Sequence, residues 1–164
     1  YCVAMTPNPK ITLLVVAYNA ESTLQQVLNR IPDSLIPQIS CVLVCDDAST
    51  DATHDVVTKY QQSSKLPITI IKHPLNLGYG GNQKSCYNKA IELDADIIIM
   101  LHPDYQYTPK LIHSMAYLIA NEVYPVVIGS RISSFFLVER FGLVSLISGS
   151  KRPDKDFETW SSAS

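Results

Sequence analysis

The order of its apolar runs constrains this chain more than any other feature. "ITLLVVAY", from Ile11 to Tyr18, is continuous, apolar and rich in β-branched residues. Such a run suits a strand buried on both faces, as in a parallel sheet. The pattern returns in "ISCVLVCDD", "LPITIIKH", "ADIIIML" and "YPVVIGSR". Segments with helical spacing lie between the runs. In "NAESTLQQVLNRI", Leu24, Val27, Leu28 and Ile31 recur on one face and Pro32 ends the element. In "STDATHDVVTKYQQ", Ser49 or Thr50 can cap, Asp51 suits the positive end of the helix dipole, and Val56, Val57 and Tyr60 form an inner face. "NLGYGGNQKSCYNKAIEL" is a Gly-rich loop running into a helix, and "TPKLIHSMAYLIAN" carries Pro109 at a tolerated first-turn position. The alternation β-α-β-α-β-α-β-α-β predicts an α/β fold with a parallel sheet up to Arg131. Beyond it, "ISSFFLVERFGLVSLIS" is apolar without an evident partner, and the Ser-rich "GSKRPDKDFETWSSAS" reads as a loose tail.

The 164 residues fit one domain, and 46% hydrophobic with 17% charged residues is the balance of a globular chain, not a disordered one. A net charge of −2 argues against a nucleic-acid partner, which normally meets a basic field. Cys2, Cys41, Cys45 and Cys86 form no C-x-x-C pair. The expectation is reduced cysteines packed in the core of a cytoplasmic protein. No apolar run approaches the roughly 18 residues of a membrane span, and "YCVAMTPNPK" lacks the layout of a signal peptide. Peripheral contact with a membrane stays compatible with this pattern.

Ligands of open α/β sheets bind outside the carboxyl ends of the strands. There the sequence places Ala17 to Glu21, Asp46 to Ser49, Asn76 to Lys84, His102 to Gln106, and Gly129 to Arg131. This crowd of polar and special-backbone residues fits a polar, phosphate-bearing ligand. Asp46 and Asp47 either cap the next helix or accept hydrogen bonds from a ribose or base. "HPD" is either a turn set by Pro103 or a cation site, with Asp104 an oxygen ligand for Mg²⁺ or Mn²⁺ and His102 a nitrogen ligand or hydrogen-bonding neighbour. Tyr18 either packs in the core or stacks on a base. Cys86 and Tyr87 read as packing residues, and His54, His73 and His113 as boundary residues without a role.

The stretch "NLGYGGNQKS" nearly matches G-x-x-x-x-G-K-[ST], with Gln83 where the second glycine belongs. A phosphate loop of that type follows an early strand and needs glycine before its lysine. A G-x-G-x-x-G fingerprint also fails at Gln83, and it belongs after the first strand, which here ends in "AYNAES". Neither nucleotide loop fits.

Four segments in order, "VVAYNAESTLQQVL", "VLVCDDASTDAT", "NLGYGGNQKSCYNKAI" and "DIIIMLHPDYQYTPKLI", resemble family 2 glycosyltransferases with the GT-A fold. The resemblance runs from Ile11 to Arg131. It implies a Rossmann-like, mostly parallel sheet flanked by helices, divided into an irregular lead-in (1–10), a donor-binding domain (11–131) and a divergent or truncated C-terminal segment (132–164) without the full acceptor half. It implies inverting transfer from a UDP- or GDP-linked sugar to a sugar or lipid-phosphate acceptor. A lipid acceptor would place the protein at the inner face of a membrane. The alternative is a truncated module that binds nucleotide sugar and turns over weakly.

Residue by residue, Ala17, Tyr18, Asn19 and Glu21 match A-Y-N-E-E, with Ala20 in place of the first Glu, and would border the base. "DDASTD" is similar to D-D-G-S-T-D, with Ala48 for Gly, and implies that Asp46 or Asp47 contacts base or ribose. Gly78, Gly80 and Gly81 would let the backbone approach the donor near Asn82, and Lys84 would neutralise pyrophosphate charge. His102 and Asp104 occupy the D-x-D position, Asp104 being the first choice for a divalent metal. "HPDYQYTP" resembles a subgroup in which Gln106 follows. Inversion requires a carboxylate base. Glu139, Asp154, Asp156 and Glu158 are the only acids after the fifth apolar run, and none sits in a matching context, so no base is assigned.

Overall fold

The computed structural model describes residues 9–104 and 108–129 and the backbone of Ser145–Ser148. β1 (Ile11–Ala17) is buried along its whole length. It is flanked in parallel by β2 (Ile39–Asp46) on one side and β4 (Ile97–Leu101) on the other, and β3 (Ile68–Lys72) extends the sheet beyond β2. Burial on both faces explains the unbroken apolar runs. Leu13, Val15, Ala17, Val44 and Ile99 pack beneath α1 (Leu24–Leu28), α2 (Thr53–Ser63) and α4 (Ile112–Ala120). Leu14, Val16, Leu43 and Met100 face the other way, onto Cys86, Tyr87 and Ala90 of α3 (Gly78–Glu92). The chain leaves β1 toward β3 and returns to β1's other side as β4. The strand order therefore reverses beside β1, where open α/β sheets form their ligand crevice.

The structure departs from the sequence expectation in four places. First, the fifth run gives β5 (Val126–Ile128), which does not pair with β4. β6 (Ser145–Ser148) lies between them, antiparallel to both, with Ile147 opposite Ile98 and Val126. The apolar stretch that lacked a partner thus supplies a strand, and the sheet order is β3-β2-β1-β4-β6-β5. Second, α1 spans five residues only. The segment before it is drawn into contacts with the loop after β2. Third, the glycines expected in a loop form the first turn of α3, which begins at Gly78 with φ +72°. A Cβ on Gly81 would stand 2.8 Å from the Leu77 Cβ, so this turn closes tightly on the residue before it. Fourth, Cys45 and Cys86 are not separate thiols. They meet in the core and are joined as a disulfide between β2 and α3, with Cα atoms 6.3 Å apart, while Cys41 stays free and buried. A bridge made by docking a helix on a sheet leaves no mark in local spacing. Cys2 and the boundary at 131 lie outside the described residues.

Candidate active site

The central strands end together. Ala17 is level with Asp46, Asp46 with Lys72, and Leu101 with Val15. Their loops leave from one edge, and the first two are latched to each other. Asn19 N donates to Ser49 Oγ (3.0 Å), and Thr50 N donates to Asn19 Oδ1 (3.0 Å). Ala20 N donates to Thr53 Oγ1 (2.7 Å), Glu21 N to Asp51 Oδ2 (3.1 Å), and Ala52 N to Glu21 Oε2 (2.9 Å). Ala17 adds its carbonyl, which accepts from Asp47 N (2.9 Å). So "AYNAES" and "DDASTDAT" are one interlocked unit, and Asn19 and Glu21 have their side-chain oxygens turned to the neighbouring loop. Tyr18 alone of this segment projects a large ring outward, 52% exposed.

Asp51, not Ser49 or Thr50, secures the start of α2. Its Oδ1 accepts from Thr53 N (2.9 Å) and Thr53 Oγ1 (2.5 Å). Partial burial pushes this carboxyl up, but the hydroxyl and amide of Thr53 and the amide of Glu21 outweigh that and hold it below the usual carboxylate range. A depressed folded pKa contributes stability that is present above the ordinary carboxylate pKa of about 3.9 and lost as pH falls through the folded value. Asp51→Asn should therefore melt below the wild type at neutral pH, with the gap closing as pH falls below the ordinary carboxylate value of about 3.9, as thermal melts across pH would read.

Ala48 sits at φ +56°. A Cβ in the left-handed region crowds the following carbonyl by roughly 1–2 kcal/mol. Glycine removes that clash but frees the unfolded chain, worth about 0.4–1 kcal/mol the other way. Ala48→Gly should accordingly stabilise the fold by about 0.5–1 kcal/mol in denaturant melts.

The two acids after β2 turn inward. Asp46 is fully buried; its Oδ1 accepts from Ser49 N (2.9 Å). Its Oδ2 has no hydrogen-bond partner and lies 4.0 Å from His54 Nδ1, which also has none. Asp47, 3% exposed, accepts from Leu77 N (2.7 Å) and so fixes the entry to α3. Asn82 is buried as well. Its Nδ2 donates to the Cys45 carbonyl (3.1 Å), and its Oδ1 pairs with His73 Nε2 (3.1 Å) and lies 3.5 Å from the bridged Cys86 Sγ. Ala17, Asp46, Asp47 and Asn82 are thus buried at the edge that the sequence expects to border the donor. Gly80 and Lys84 of α3 are exposed.

At the end of β4, His102 is half-buried and Asp104 exposed on the following turn. Burial lowers the His102 pKa while the Asp104 carboxylate pulls it up; burial prevails, so the ring is neutral at pH 7. A neutral imidazole and a carboxylate on one turn suit Mn²⁺ or Mg²⁺. Among the described residues no cluster of three or more His, Cys, Asp or Glu side chains is formed to hold a metal. The donor set therefore fits a cation that completes its shell with phosphate oxygens and water, not a cage made by protein alone. Tyr79, in the first turn of α3, stacks on His102 with ring centroids 5.7 Å apart at 19°. Its hydroxyl is 3.3 Å from His102 Nε2.

The family model "Glycosyl transferase family 2" matches residues 12–162. This chain belongs to glycosyl transferase family 2. The UDP-N-acetylglucosamine–dolichyl-phosphate N-acetylglucosaminyltransferase of Methanococcus voltae is 30% identical over 135 residues, covering 76% of this chain and 53% of that protein. The dolichol-phosphate mannosyltransferase of Pyrococcus furiosus is 25% identical over 74% of this chain and 33% of its own length. Among solved structures, the mannosyltransferase PcManGT from Pyrobaculum calidifontis, in complex with GDP-Man and Mn²⁺, superposes with a TM-score of 0.64 at 19% identity, over 90% of this chain and 47% of that one. Staphylococcus aureus TarS 1–349 with UDP gives 0.62 at 18%, over 85% and 47%. The chain spans about half the length of the first relatives it matches.

Within this family member, Thr53, Asp51, His73 and Tyr79 hold the site together although the sequence marked none of them for such work. Thr53 and Asp51 belong to the "DDASTDAT" motif, which was the available signal. His73 and Tyr79 carried none, since their partners are distant in sequence. Tyr105, Gln106, Ser130, Arg131 and the four C-terminal acids lie outside the described residues. A cleft of about 410 Å³ lined by Gln25, Asp33, Tyr60 and Lys65 lies at the far end of α2, away from the strand ends that carry these motifs. No helix among the described residues is long and apolar enough to cross a membrane.

Proposed function

We propose that the chain binds a UDP- or GDP-linked sugar along the carboxyl edge of its sheet and, as part of a glycosyltransferase, passes the sugar to an acceptor with inversion. The observation that carries this is the common edge at which β1, β2 and β4 end, Ala17 level with Asp46 and Leu101 with Val15, from which Tyr18, the exposed first turn of α3 and the His102–Asp104 turn leave the sheet. Tyr18 offers a ring face to the base. The amides of the first turn of α3 and Lys84 meet diphosphate charge. Asp104, with His102 beside it, would hold a divalent cation, which would supply stabilisation of the charge developing on the departing diphosphate. Asn19, Glu21, Asp46, Asp47 and Asn82 keep these parts in place. In the reaction an acceptor oxygen bonds to the anomeric carbon as the bond to the nucleoside diphosphate breaks.

A lipid phosphate is the acceptor we favour, because the M. voltae and P. furiosus relatives are named for dolichyl-phosphate acceptors. That acceptor brings the protein to the cytoplasmic face of a membrane by peripheral association. Calorimetric titration with UDP- and GDP-sugars, with and without Mn²⁺, is the test. Binding of one donor, strengthened by Mn²⁺, is expected; no binding of any donor sinks the proposal. Binding without transfer to a polyprenyl phosphate identifies a donor-binding module alone.

A further inference from the structure

We propose that Tyr79 is a positioning residue for the metal turn, pinning the His102 ring to the first turn of α3. The inference rests on the metal site proposed above. Two observations carry it. The rings stack nearly parallel, 19° apart, with centroids at 5.7 Å. The Tyr79 hydroxyl also reaches His102 Nε2 at 3.3 Å and Met100 Sδ at 3.9 Å. Stacking limits tilt of the imidazole, and the hydroxyl limits its rotation about the Cβ–Cγ bond.

The two residues come from different elements. Tyr79 follows Gly78 at the entry to α3, and His102 follows β4. Met100 of β4 meets α3 at a second point as well, where Gln83 Nε2 contacts its Sδ (3.5 Å). Contact between Tyr79 and His102 therefore fixes the spacing between the segment that meets the diphosphate and the turn that meets the cation. In the proposed function both face the same donor group, so their separation would set how a cation held at the turn meets that group. Partners of a ligating histidine that fix its ring typically govern metal affinity by about 10–100-fold. Tyr79 is 55% exposed, so its removal leaves the core intact. An exposed tyrosine in this contact works on the site, not on the fold.

The experiment uses the intact chain with Tyr79→Phe, which keeps the ring, and Tyr79→Ala, which removes it. The imidazole ¹⁵N resonances of His102 are read by long-range ¹H–¹⁵N correlation. Mn²⁺ affinity is read by calorimetry in the presence of the donor nucleotide. Tyr79→Phe should move the His102 nitrogen resonances and weaken Mn²⁺ binding about 10-fold, and Tyr79→Ala should weaken it further. Unchanged nitrogen resonances in both variants overturn the inference. So does unchanged Mn²⁺ affinity where the wild type binds Mn²⁺. A wild type that ignores Mn²⁺ defeats the metal site itself; the contact between Tyr79 and His102 then stands or falls on the nitrogen resonances alone.

Discussion

Asp104→Ala is expected to reduce sugar transfer by about 10²–10³-fold, the effect of deleting one group that stabilises charge developing on a leaving oxygen. Asp104 is the exposed carboxylate on the turn at the end of β4. In the proposed function this oxygen would hold the cation, and no cluster of side chains among the described residues replaces it. Donor affinity in Mn²⁺ should fall to the level seen without metal, while affinity without metal changes little. Because Asp104 is exposed, the fold should keep its stability to within about 0.5 kcal/mol. Steady-state kinetics, calorimetry with and without Mn²⁺, and a thermal melt separate these outcomes. Asp104→Asn keeps the shape and loses the charge, so it should resemble the alanine variant. A fully active Asp104→Ala would remove the cation from this turn.

Asn82→Leu is the substitution expected to cost the fold most. Leucine keeps the branching and the number of side-chain heavy atoms of asparagine and is somewhat larger, so no cavity arises. It strands the buried Cys45 carbonyl and His73 Nε2, both of which the Asn82 amide now serves. A buried polar group left unpaired costs about 1–3 kcal/mol, and a half-buried one such as His73 less, which gives about 2–4 kcal/mol for the pair. In a chain of this size that lowers the melting temperature by roughly 5–15 °C. Asn82→Asp keeps the acceptor for His73 but removes the donor to Cys45 and buries a charge, so it should fall at least as far. The same bonds hold α3 to the ends of β2 and β3, so donor binding should weaken in whatever fraction stays folded. Denaturant melts of the two variants beside Asp104→Ala would distinguish a clamp from a ligand contact. A leucine variant as stable as the wild type would show that Asn82 does not bind the two elements together.

Much of the fold was legible because burial on two faces leaves continuous apolar runs, and β1 to β4 fell where Ile11, Ile39, Ile68 and Ile97 begin theirs. Where the runs stop was informative too. Polar residues after Ala17, Asp46 and Leu101 marked the ligand edge. The placement of β6 was not legible. Antiparallel pairing of Ile147 with Ile98 depends on an open edge of β4, which exists only once the parallel strands have assembled.

The sequence by itself determined the alternation of strands and helices, the motif order that marks family 2, and the edge on which the motif residues collect. These are local properties: apolar period, turn residues and the chain's direction through the sheet. Only the tertiary structure decided the division of labour among the motif residues. It turned Asp46, Asp47 and Asn82 inward as supports, left Tyr18 and Asp104 facing out, and set Tyr79 against His102. The same aspartate or asparagine can bind a ligand or hold a loop. Which it does depends on the donors that packing brings within about 3 Å of it, and those donors lie far away along the chain.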